Sequence, residues 1–390
     1  MKFSVPQTDM FKVLSQITGV LERTQTRDIL SHARVSVTDS GELTMSCTDI
    51  TMTMVAQLEV EHVEEPGGAS IPGLRLFDIF RKLPSDEAVT FETAEEMINI
   101  TAGRSEFRLN VMTGPNSNVL EGYAAKPPDD HIQYTITAAK LREMLMYTNS
   151  AMGTKEARRY MVATCFELNS EHFRTVSTEA SILAMATFPN GVEGLDETKQ
   201  YVVPRKTVLQ VTSMCTAAAG NEQVKLTFGS NHFSASIGMF TLTSNLLDTK
   251  YPVYQNVFPD ELSWTMVCDR EGLRDALERA EVVAVDASHR VVLDCADDVL
   301  TMRAASTRND RVETGIALDV CSSERKVSIN GERVLRILSN LKGARVEFTS
   351  DASDLQANIK VIDSQPDEKP AGASSDAIDI TYLMATMSDR

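Results

Sequence analysis

The stretch Lys2-Phe-Ser-Val-Pro6, which alternates polar and apolar residues and runs directly into an apolar-periodic segment at Thr8–Leu21, decides how this chain folds. The alternation predicts a short strand, and apolar residues at every third or fourth position predict an amphipathic helix. The same strand–helix pair occurs twice more, at intervals of about 130 residues. Its further copies are Gln133-Tyr-Thr-Ile-Thr137 with Ala138–Ser150, and Ser263-Trp-Thr-Met-Val267 with Asp269–Ala284. A repeat of this length is a domain rather than a solenoid unit, so the sequence predicts three domains.

Each third of the chain carries the same order of elements: a strand, a helix, three strands, a strand, a second helix and three strands. The second helices are predicted at Leu74–Leu83, Lys206–Ala219 and Gly331–Leu341. This order predicts an α+β fold in which every domain holds two helices against antiparallel sheets. We place the domains at residues 1–124, 130–252 and 261–390.

Two polar stretches are predicted to be loops. Glu64-Glu-Pro-Gly-Gly68 combines acidic residues with turn formers, and Ser364–Ala377 combines proline and glycine with small and charged residues. The final strand is then predicted at Tyr382–Met387.

Composition is that of an ordinary globular protein, with 42% hydrophobic and 24% charged residues. No apolar run reaches the roughly 18 residues of a membrane span, and Met1–Pro6 lacks the features of a signal peptide. We therefore expect a cytoplasmic protein with no membrane partner. The 6 cysteines stand singly and the 6 histidines are isolated, so we expect reduced core cysteines, no metal and no cofactor.

Catalytic motifs are absent from the sequence. It contains no GxxxxGK[ST] phosphate loop, no GxGxxG after a strand, no HExxH and no GxSxG. The paired acids Asp129-Asp130 and Asp297-Asp298 lie in turn-like contexts that are typical of solvated loops. We therefore expect a protein without catalytic residues or enzymatic activity of its own.

The formal net charge of −17 argues against a nucleic-acid partner, yet many cations lie on or beside the predicted helices. One interpretation is a basic surface that follows phosphates without reading sequence, while acidic loops elsewhere repel DNA. The other is a set of ordinary solvated helix faces. The candidate DNA-binding residues are Arg23, Arg27, Arg75, Arg81, Lys82, Lys140, Arg142, Lys155, Arg158, Arg205, Lys206, Arg270, Arg274, Arg333 and Arg336.

Several short strings, taken in order along the chain, resemble the bacterial beta sliding clamps, the processivity subunits of DNA polymerase III. They are Thr48-Asp49 before Met52-Thr-Met-Val-Ala56, Leu76-Phe-Asp-Ile79, Arg174-Thr-Val-Ser-Thr178, Val203-Pro-Arg-Lys206, and Thr243-Ser-Asn-Leu-Leu-Asp248 before Tyr251-Pro252. Each string is weak alone, but their collinear order covers essentially the full chain. The resemblance implies that two three-domain chains join head to tail in a six-domain ring around duplex DNA, which is bound without sequence specificity.

The resemblance also implies where the two chains of such a homodimer meet. An edge strand of the first domain would contact the third domain of the partner, as head-to-tail closure requires. The matching positions are Arg104, Glu106, Phe107 and Leu109 in the first domain, and Val282 and Val283 in the third. Alternatively, Phe107 and Leu109 are core residues of their own domain.

A second implied site is a pocket between the second and third domains that takes short linear peptides. The matching positions are Met161, Thr178, Ala180, Leu183, Pro252, Asn256, Val257, Leu383 and Met387. Most are apolar, which suits an aromatic or leucine anchor, although interdomain packing without a partner is the alternative.

Several of these positions depart from the family pattern. The family usually has Thr-Asp-Gly-His-Arg-Leu where this chain has Thr178-Glu-Ala-Ser-Ile-Leu183, and an arginine where Asn256 stands. The usual Met-Pro-Met-Arg terminus is replaced by Ala385-Thr-Met-Ser388. We therefore expect an altered peptide specificity.

The resemblance implies a non-catalytic sliding clamp that tethers a DNA polymerase catalytic subunit and binds a clamp loader. It also implies repair polymerases and ligase as further binding partners. Two other hypotheses stay open. One is a diverged clamp-like adaptor that keeps the ring but recruits different partners. The other is an unrelated hydrolase built on repeated domains, which the absent catalytic motifs disfavour.

Overall fold

The computed structural model describes residues 1–21, 28–112, 131–259, 261–353, 358–364 and 377–387. The chain divides into two compact units: Met1–Arg142 with Lys206–Leu246, and Glu143–Arg205 with Leu247–Arg390. Within the described residues, no helix has the length and apolar character needed to cross a membrane.

Six α-helices lie in the described part, two in each third of the chain, where the apolar periodicity predicts them. Their bounds are α1 (Gln7–Ile17), α2 (Gly73–Phe80), α3 (Ala138–Asn149), α4 (Arg205–Ala217), α5 (Arg270–Ala284) and α6 (Gly331–Leu338). The buried face of α1 carries Met10, Val13, Leu14 and Ile17, which recur with the helical period. Helices α1, α2, α4 and α6 end about one turn or less before the predicted residue, since the last apolar positions continue as turns.

The helices of the last third begin at side-chain caps. The Asp269 carboxylate accepts a hydrogen bond from the Gly272 amide at 2.7 Å, and Asn330 Oδ1 accepts one from the Arg333 amide at 3.0 Å. Each cap satisfies a backbone donor that has no partner within the helix, and so fixes where α5 and α6 start.

The strands are short and follow the predicted order. They are β1 (Lys2–Pro6), β2 (His32–Val37), β3 (Glu42–Thr48), β4 (Met52–Glu59), β5 (His62–Glu65), β6 (Gly67–Pro72), β7 (Ala88–Ala94), β8 (Met97–Ala102), β9 (Ser105–Asn110), β10 (Ile132–Thr137), β11 (Ala163–Leu168), β12 (Phe173–Thr178), β13 (Ile182–Phe188), β14 (Lys199–Pro204), β15 (Gln223–Phe228), β16 (His232–Ile237), β17 (Phe240–Asn245), β18 (Trp264–Asp269), β19 (Arg290–Ala296), β20 (Val299–Ala305), β21 (Arg311–Cys321), β22 (Arg325–Asn330), β23 (Arg345–Ser350), β24 (Ile359–Asp363) and β25 (Asp379–Met384). Short 3₁₀ turns occur at Asp28–Ser31, Arg159–Val162 and Tyr254–Val257.

The first unit contains two antiparallel sheets. One has the order β5-β1-β7-β8-β9, and the other has the order β10-β15-β16-β17-β4-β3-β2-β6. In the larger sheet β17 pairs with β4, with Phe240 opposite Ala56, so strands from the first and second thirds of the chain share one ladder.

The second unit contains one continuous sheet of twelve strands, in the order β14-β11-β12-β13-β25-β24-β23-β18-β21-β20-β19-β22. The second and third thirds of the chain meet in it where β13 pairs with β25, with Ile182 opposite Met384. In each unit, therefore, strands from different thirds of the chain pair through hydrogen bonds within one sheet.

The acidic stretch that the sequence predicts as a loop is strand on both sides of Pro66: Gly67 and Gly68 begin β6, and Glu64 and Glu65 end strand β5. Strand β5 pairs with β1, and Lys2 Nζ lies 2.9 Å from the Glu64 carboxylate. This cross-strand attraction and the ladder hydrogen bonds offset the poor strand propensity of the segment. The final strand also differs, since β25 ends at Met384 rather than at Met387. The predicted boundary between the first two domains, at residues 124–130, and residues 365–376 of the predicted loop lie outside the described residues.

Large apolar side chains fill the cores of both units. In the first unit the ring centroids of Phe3 and Phe91 lie 4.9 Å apart in a stacked arrangement. In the second unit Trp264 and Tyr382 are buried, and the Arg325 guanidinium lies 5.0 Å from the centre of the Trp264 ring. Five of the six cysteines are buried, while Cys321 is half-buried.

Candidate functional site

A cavity of about 350 Å³ lies within the second unit, between the β12–β13 turn, the two 3₁₀ turns of that unit and the end of β25. Seven of the nine positions assigned to the peptide pocket line it together: Met161, Thr178, Ala180, Leu183, Pro252, Val257 and Leu383. Residues more than two hundred positions apart reach this one cavity because β13 and β25 are neighbours in the sheet.

Two of the assigned positions lie elsewhere. Asn256 is exposed on the 3₁₀ turn and is not among the residues that line the cavity. The Met387 amide donates a hydrogen bond to the Ser328 carbonyl at 2.8 Å, and Met387 lines a different cavity together with Arg290 and Arg303. The strand ends before Met387, and the chain then turns toward β22, so Met387 is not among the residues that line this cavity.

The cavity also contains residues that the sequence analysis did not assign to it. Among them are Tyr160, Tyr254, Met384 and Asn358. Tyr251, behind the lining, packs edge-to-face against both Tyr160 and Tyr254, with ring centroids 5.9 and 6.3 Å apart. Tyr251 and Tyr254 lie on either side of Pro252 in the sequence, whereas Tyr160 lies in the earlier 3₁₀ turn, and only the fold shows that these rings converge.

Leucine and tyrosine side chains make the cavity floor apolar. Leu183, Leu383 and Tyr254 belong to one buried apolar cluster, in which Tyr251 and Val202 also take part. A floor of this kind can exclude water around an inserted aliphatic or aromatic side chain, which is what an anchoring residue of a short peptide requires.

A buried carboxylate lies behind the Tyr254 ring. Glu167 Oε1 accepts hydrogen bonds from the Tyr254 hydroxyl and from Arg174 Nη1, both at 3.0 Å, and Glu167 Oε2 accepts one from Gln200 at 2.8 Å. Burial alone would raise the pKa of Glu167, but hydrogen bonds from Gln200, Tyr254 and His172 and the charge of Arg174 outweigh it and lower the pKa. An ionised Glu167 therefore fixes Tyr254, and with it one wall of the cavity.

Arg158 lies at this cavity, although the sequence analysis assigned it to DNA. Its Nη1 donates a hydrogen bond to the Tyr160 hydroxyl at 3.3 Å, and its side chain is exposed. Among the lining residues that the structure describes, Arg158 is the one with a charged side chain. A carboxylate of a bound peptide would find its counter-charge here.

The other cations assigned to DNA that the structure describes fall into three main groups. Arg75, Lys82, Arg142 and Lys155 are exposed and form no ion pair within the described residues, and Arg81 is exposed but lies 2.9 Å from Asp78. Lys140, on α3, is half-buried. Arg23 and Arg27 lie outside the described residues. These exposed cations can contact DNA phosphates, as their assignment to DNA binding requires.

The second group is engaged inside the fold. Lys206 Nζ binds the buried Asp49 carboxylate and the Val20 carbonyl. Arg205 donates to the Met152 carbonyl, and Arg270 donates to the carbonyls of Gly343 and Leu338. These cations satisfy carbonyl groups at the ends of structural elements.

The remaining three assigned cations form ion pairs with glutamates. Arg274 lies 2.7 Å from Glu271, and Arg333 and Arg336 both contact Glu179, at 3.1 and 3.3 Å. Sequence position alone did not distinguish these paired side chains from the open ones.

The first-domain residues assigned to the dimer interface lie on an edge. Strand β9 is the outer strand of its sheet, and Arg104 precedes it in the β8–β9 turn. Glu106 is exposed and pairs with Arg108 at 2.9 Å, while Phe107 and Leu109 are half-buried. Phe107 and Leu109 therefore retain apolar surface that a second chain could cover.

The third-domain residues assigned to the interface lie at the end of α5. Val282 is 79% exposed and Val283 is half-buried. The same third of the chain has a further open strand edge. Residues 311–317 of β21 pair with β20 alone, since β18 pairs with β21 only at Leu318, Val320 and Cys321. Alternation in the sequence does not reveal this edge, because it does not show how far a neighbouring strand extends.

No cluster of three or more metal-ligating side chains occurs in the part of the chain that the structure describes.

Comparison with known proteins finds one protein family along nearly the whole chain. Family models for the N-terminal, central and C-terminal domains of the DNA polymerase III beta subunit match residues 1–118, 135–253 and 255–363. The beta sliding clamp of Pseudomonas aeruginosa is 27% identical over 364 residues, which cover 93% of this chain and 97% of the relative. That of Escherichia coli K12 is 27% identical over 358 residues, which cover 91% and 95%.

A solved structure agrees with the sequence matches. The crystal structure of the DNA polymerase III subunit beta from Pseudomonas aeruginosa has a TM-score of 0.89 and 25% identity, and the match covers 99% of this chain and 100% of that chain. Three family domains in order, together with the repeated strand–helix pattern, leave the unrelated-hydrolase hypothesis without support. The chain therefore belongs to the DNA polymerase III beta subunit family and is a DNA sliding clamp.

Proposed function

We propose that two copies of this chain join head to tail in a ring around duplex DNA, and that the cavity of the second unit tethers a DNA polymerase catalytic subunit through a short peptide. The observation that carries the proposal is the cavity, where seven separately assigned residues meet around an apolar floor. Each chain contributes three clamp domains, at residues 1–124, 130–252 and 261–390.

The exposed helix cations support the contact with DNA. Arg75 and Lys82 lie on and beside α2, and Arg142 lies on α3. Their positive charges form no ion pair with a carboxylate of the described residues. Such side chains follow the phosphate backbone without reading bases, as a protein that slides along DNA requires. The net charge of −17 disfavours DNA contact with the rest of the surface.

The edge strand β9 supports the ring contact. Its outer edge has no hydrogen-bonded neighbour among the described strands, and the Phe107 and Leu109 side chains retain exposed surface. The one-sided part of β21 and the exposed Val282 supply a candidate complementary surface on the partner. Pairing of two unlike edges is a heterologous contact, which closes into a ring when the rotation between chains allows it.

The cavity supports recruitment of partners through peptides that carry one leucine or aromatic anchor. We propose the polymerase catalytic subunit and the clamp loader as its main occupants, with repair polymerases and ligase as further ones. Arg158 at the mouth favours peptides with an acidic residue beside the anchor. The clamp contributes no catalytic step of its own in the cytoplasm, but raises the concentration of the polymerase at the primer end.

Retention on DNA tests this function directly. The protein, loaded on nicked circular DNA, should stay bound through a wash at high salt, and linearisation of the same DNA should release it. Ordinary electrostatic binding would instead fall steeply with salt on both forms of DNA. Equal loss from circular and linear DNA would refute the ring.

A diverged adaptor that recruits different partners is the second candidate function, and the β12–β13 turn favours it. Ala180 has a φ of +70°, a left-handed conformation that glycine adopts without cost and residues with a Cβ adopt less readily. Ile182 is buried where the family usually has arginine. If the adaptor function is correct, peptides from the host's replicative polymerase should not displace a natural partner from this cavity.

A further inference from the structure

The turn between β12 and β13 forms one wall of the cavity and is held at its base by hydrogen bonds. Thr178 Oγ1 donates to the Ile182 carbonyl at 2.8 Å, and the Glu179 amide donates to the same carbonyl at 3.1 Å. At its tip Ala180 has the left-handed conformation and lines the cavity. Because that conformation is unfavourable for alanine, contacts outside the turn must help to maintain it.

Glu179 supplies such a contact. Its side chain is 16% exposed, and Oε1 lies 3.1 Å from Arg333 Nε and 3.3 Å from Arg336 Nη1. Arg336 Nη1 also donates to the Ser150 carbonyl just beyond α3, at 3.2 Å. One carboxylate thus ties the cavity wall to helix α6.

The same two arginines belong to the set that the sequence assigns to DNA. They are about one-third exposed, so phosphate oxygens can reach them, and a phosphate can bind a guanidinium through two hydrogen bonds as a carboxylate does. A guanidinium that turns toward a phosphate weakens its contact with Glu179. The turn would then lose the contact that opposes the strain at Ala180.

We propose that Glu179 is a positioning residue for the peptide cavity, and that DNA phosphates compete with it for Arg333 and Arg336, so that DNA and peptide weaken each other's binding. This inference rests on the proposed DNA and peptide functions. By linkage, the factor by which DNA weakens peptide binding equals the factor by which peptide weakens DNA binding. For a partly exposed ion pair we expect a factor of about three to five.

The test measures the affinity of a short fluorescent peptide with one leucine and one phenylalanine, with and without a saturating short DNA duplex at low salt. In the wild-type clamp the duplex should raise the peptide Kd about threefold to fivefold. In Glu179→Gln the peptide Kd without DNA should be about threefold to fivefold higher than that of the wild type, and addition of the duplex should no longer change it. The matched control is Glu171→Gln, an exposed glutamate of the neighbouring β11–β12 loop, which should behave as the wild type does.

A second measurement separates positioning from simple damage to the cavity. Glu179→Gln removes the carboxylate that Arg333 and Arg336 share, while Arg336 keeps its contacts with Glu332 and with the Ser150 carbonyl. The affinity of the variant for the duplex should rise by a similar factor, whereas a misfolded cavity would leave duplex affinity unchanged. The proposal is overturned if duplex affinity does not rise, or if the wild-type clamp binds the peptide equally well with and without DNA. If the wild-type clamp binds no peptide even without DNA, the peptide function itself fails, and this inference fails with it.

Discussion

Val257 offers the clearest test of the peptide cavity, because it lines the cavity yet remains 42% exposed. A substitution there removes contact with the peptide without opening a hole in the core. Full burial of a valine side chain contributes about 1.5–3 kcal/mol, so a peptide that covers the remaining exposed surface gains at most about 1 kcal/mol from it. Val257→Ala should therefore weaken peptide binding about twofold to fivefold.

Val253 is the matched control for this experiment. It lies four positions earlier, is 67% exposed, and is not among the residues that line the cavity. Fluorescence anisotropy with a labelled peptide should show a weaker Kd for Val257→Ala and an unchanged Kd for Val253→Ala. Thermal unfolding of both variants should stay within about 0.5 kcal/mol of the wild type. Equal peptide affinity in the two variants would refute the assignment of the cavity.

Four further predictions concern the ring, the polar support of the cavity and two helix cations. Phe107→Ala with Leu109→Ala should give a folded monomer by light scattering, while Lys225→Ala, at an exposed position on β15 outside the assigned interface, should remain a dimer; a dimeric double variant would disprove the interface. Glu167→Gln should lower the free energy of unfolding by about 1–3 kcal/mol at neutral pH. Because the pKa of Glu167 is lowered in the folded state, its stabilising effect is present above its ordinary value of 4.5 and is lost as pH falls through the lowered value. Urea unfolding between about pH 5 and pH 3 should thus show a steeper loss of stability in the wild type than in the variant, and parallel curves would contradict the network. Arg142→Ala should reduce the slope of log K against log salt for duplex binding by about 0.9, whereas Lys225→Ala, an exposed cation on β15, should leave it unchanged. Lys206→Met should instead lower stability by about 1–3 kcal/mol, since it leaves the buried Asp49 without its cation.

The repeated elements could be predicted because their signal is local. Apolar residues at the helical period placed α1 to α6, and alternation placed most strands, within about a turn or a few residues. Strand β5 was missed because its stability comes from pairing with β1 and from the Lys2–Glu64 contact, not from its own acidic sequence.

The site could be predicted only in part, because its residues meet through distant contacts. The resemblance supplied Leu183 and Leu383, but the position where β25 ends decides that Met384 lines the cavity and Met387 does not. Likewise, the pattern shows that Lys206 lies on a helix but not that Asp49, far away in sequence, binds it. The interface and DNA-binding assignments stay predictions.

The pairing of β13 with β25 has a consequence for how the clamp is made. During synthesis the edge of β13 stays open until β25 emerges, about two hundred residues later, and such long-range strand pairing is slow to form. Leu383 and Met384 of that late strand complete the cavity, so a nascent chain has no finished docking site. A partner protein that binds in this cavity would therefore bind the completed clamp and not a nascent chain that is still on the ribosome.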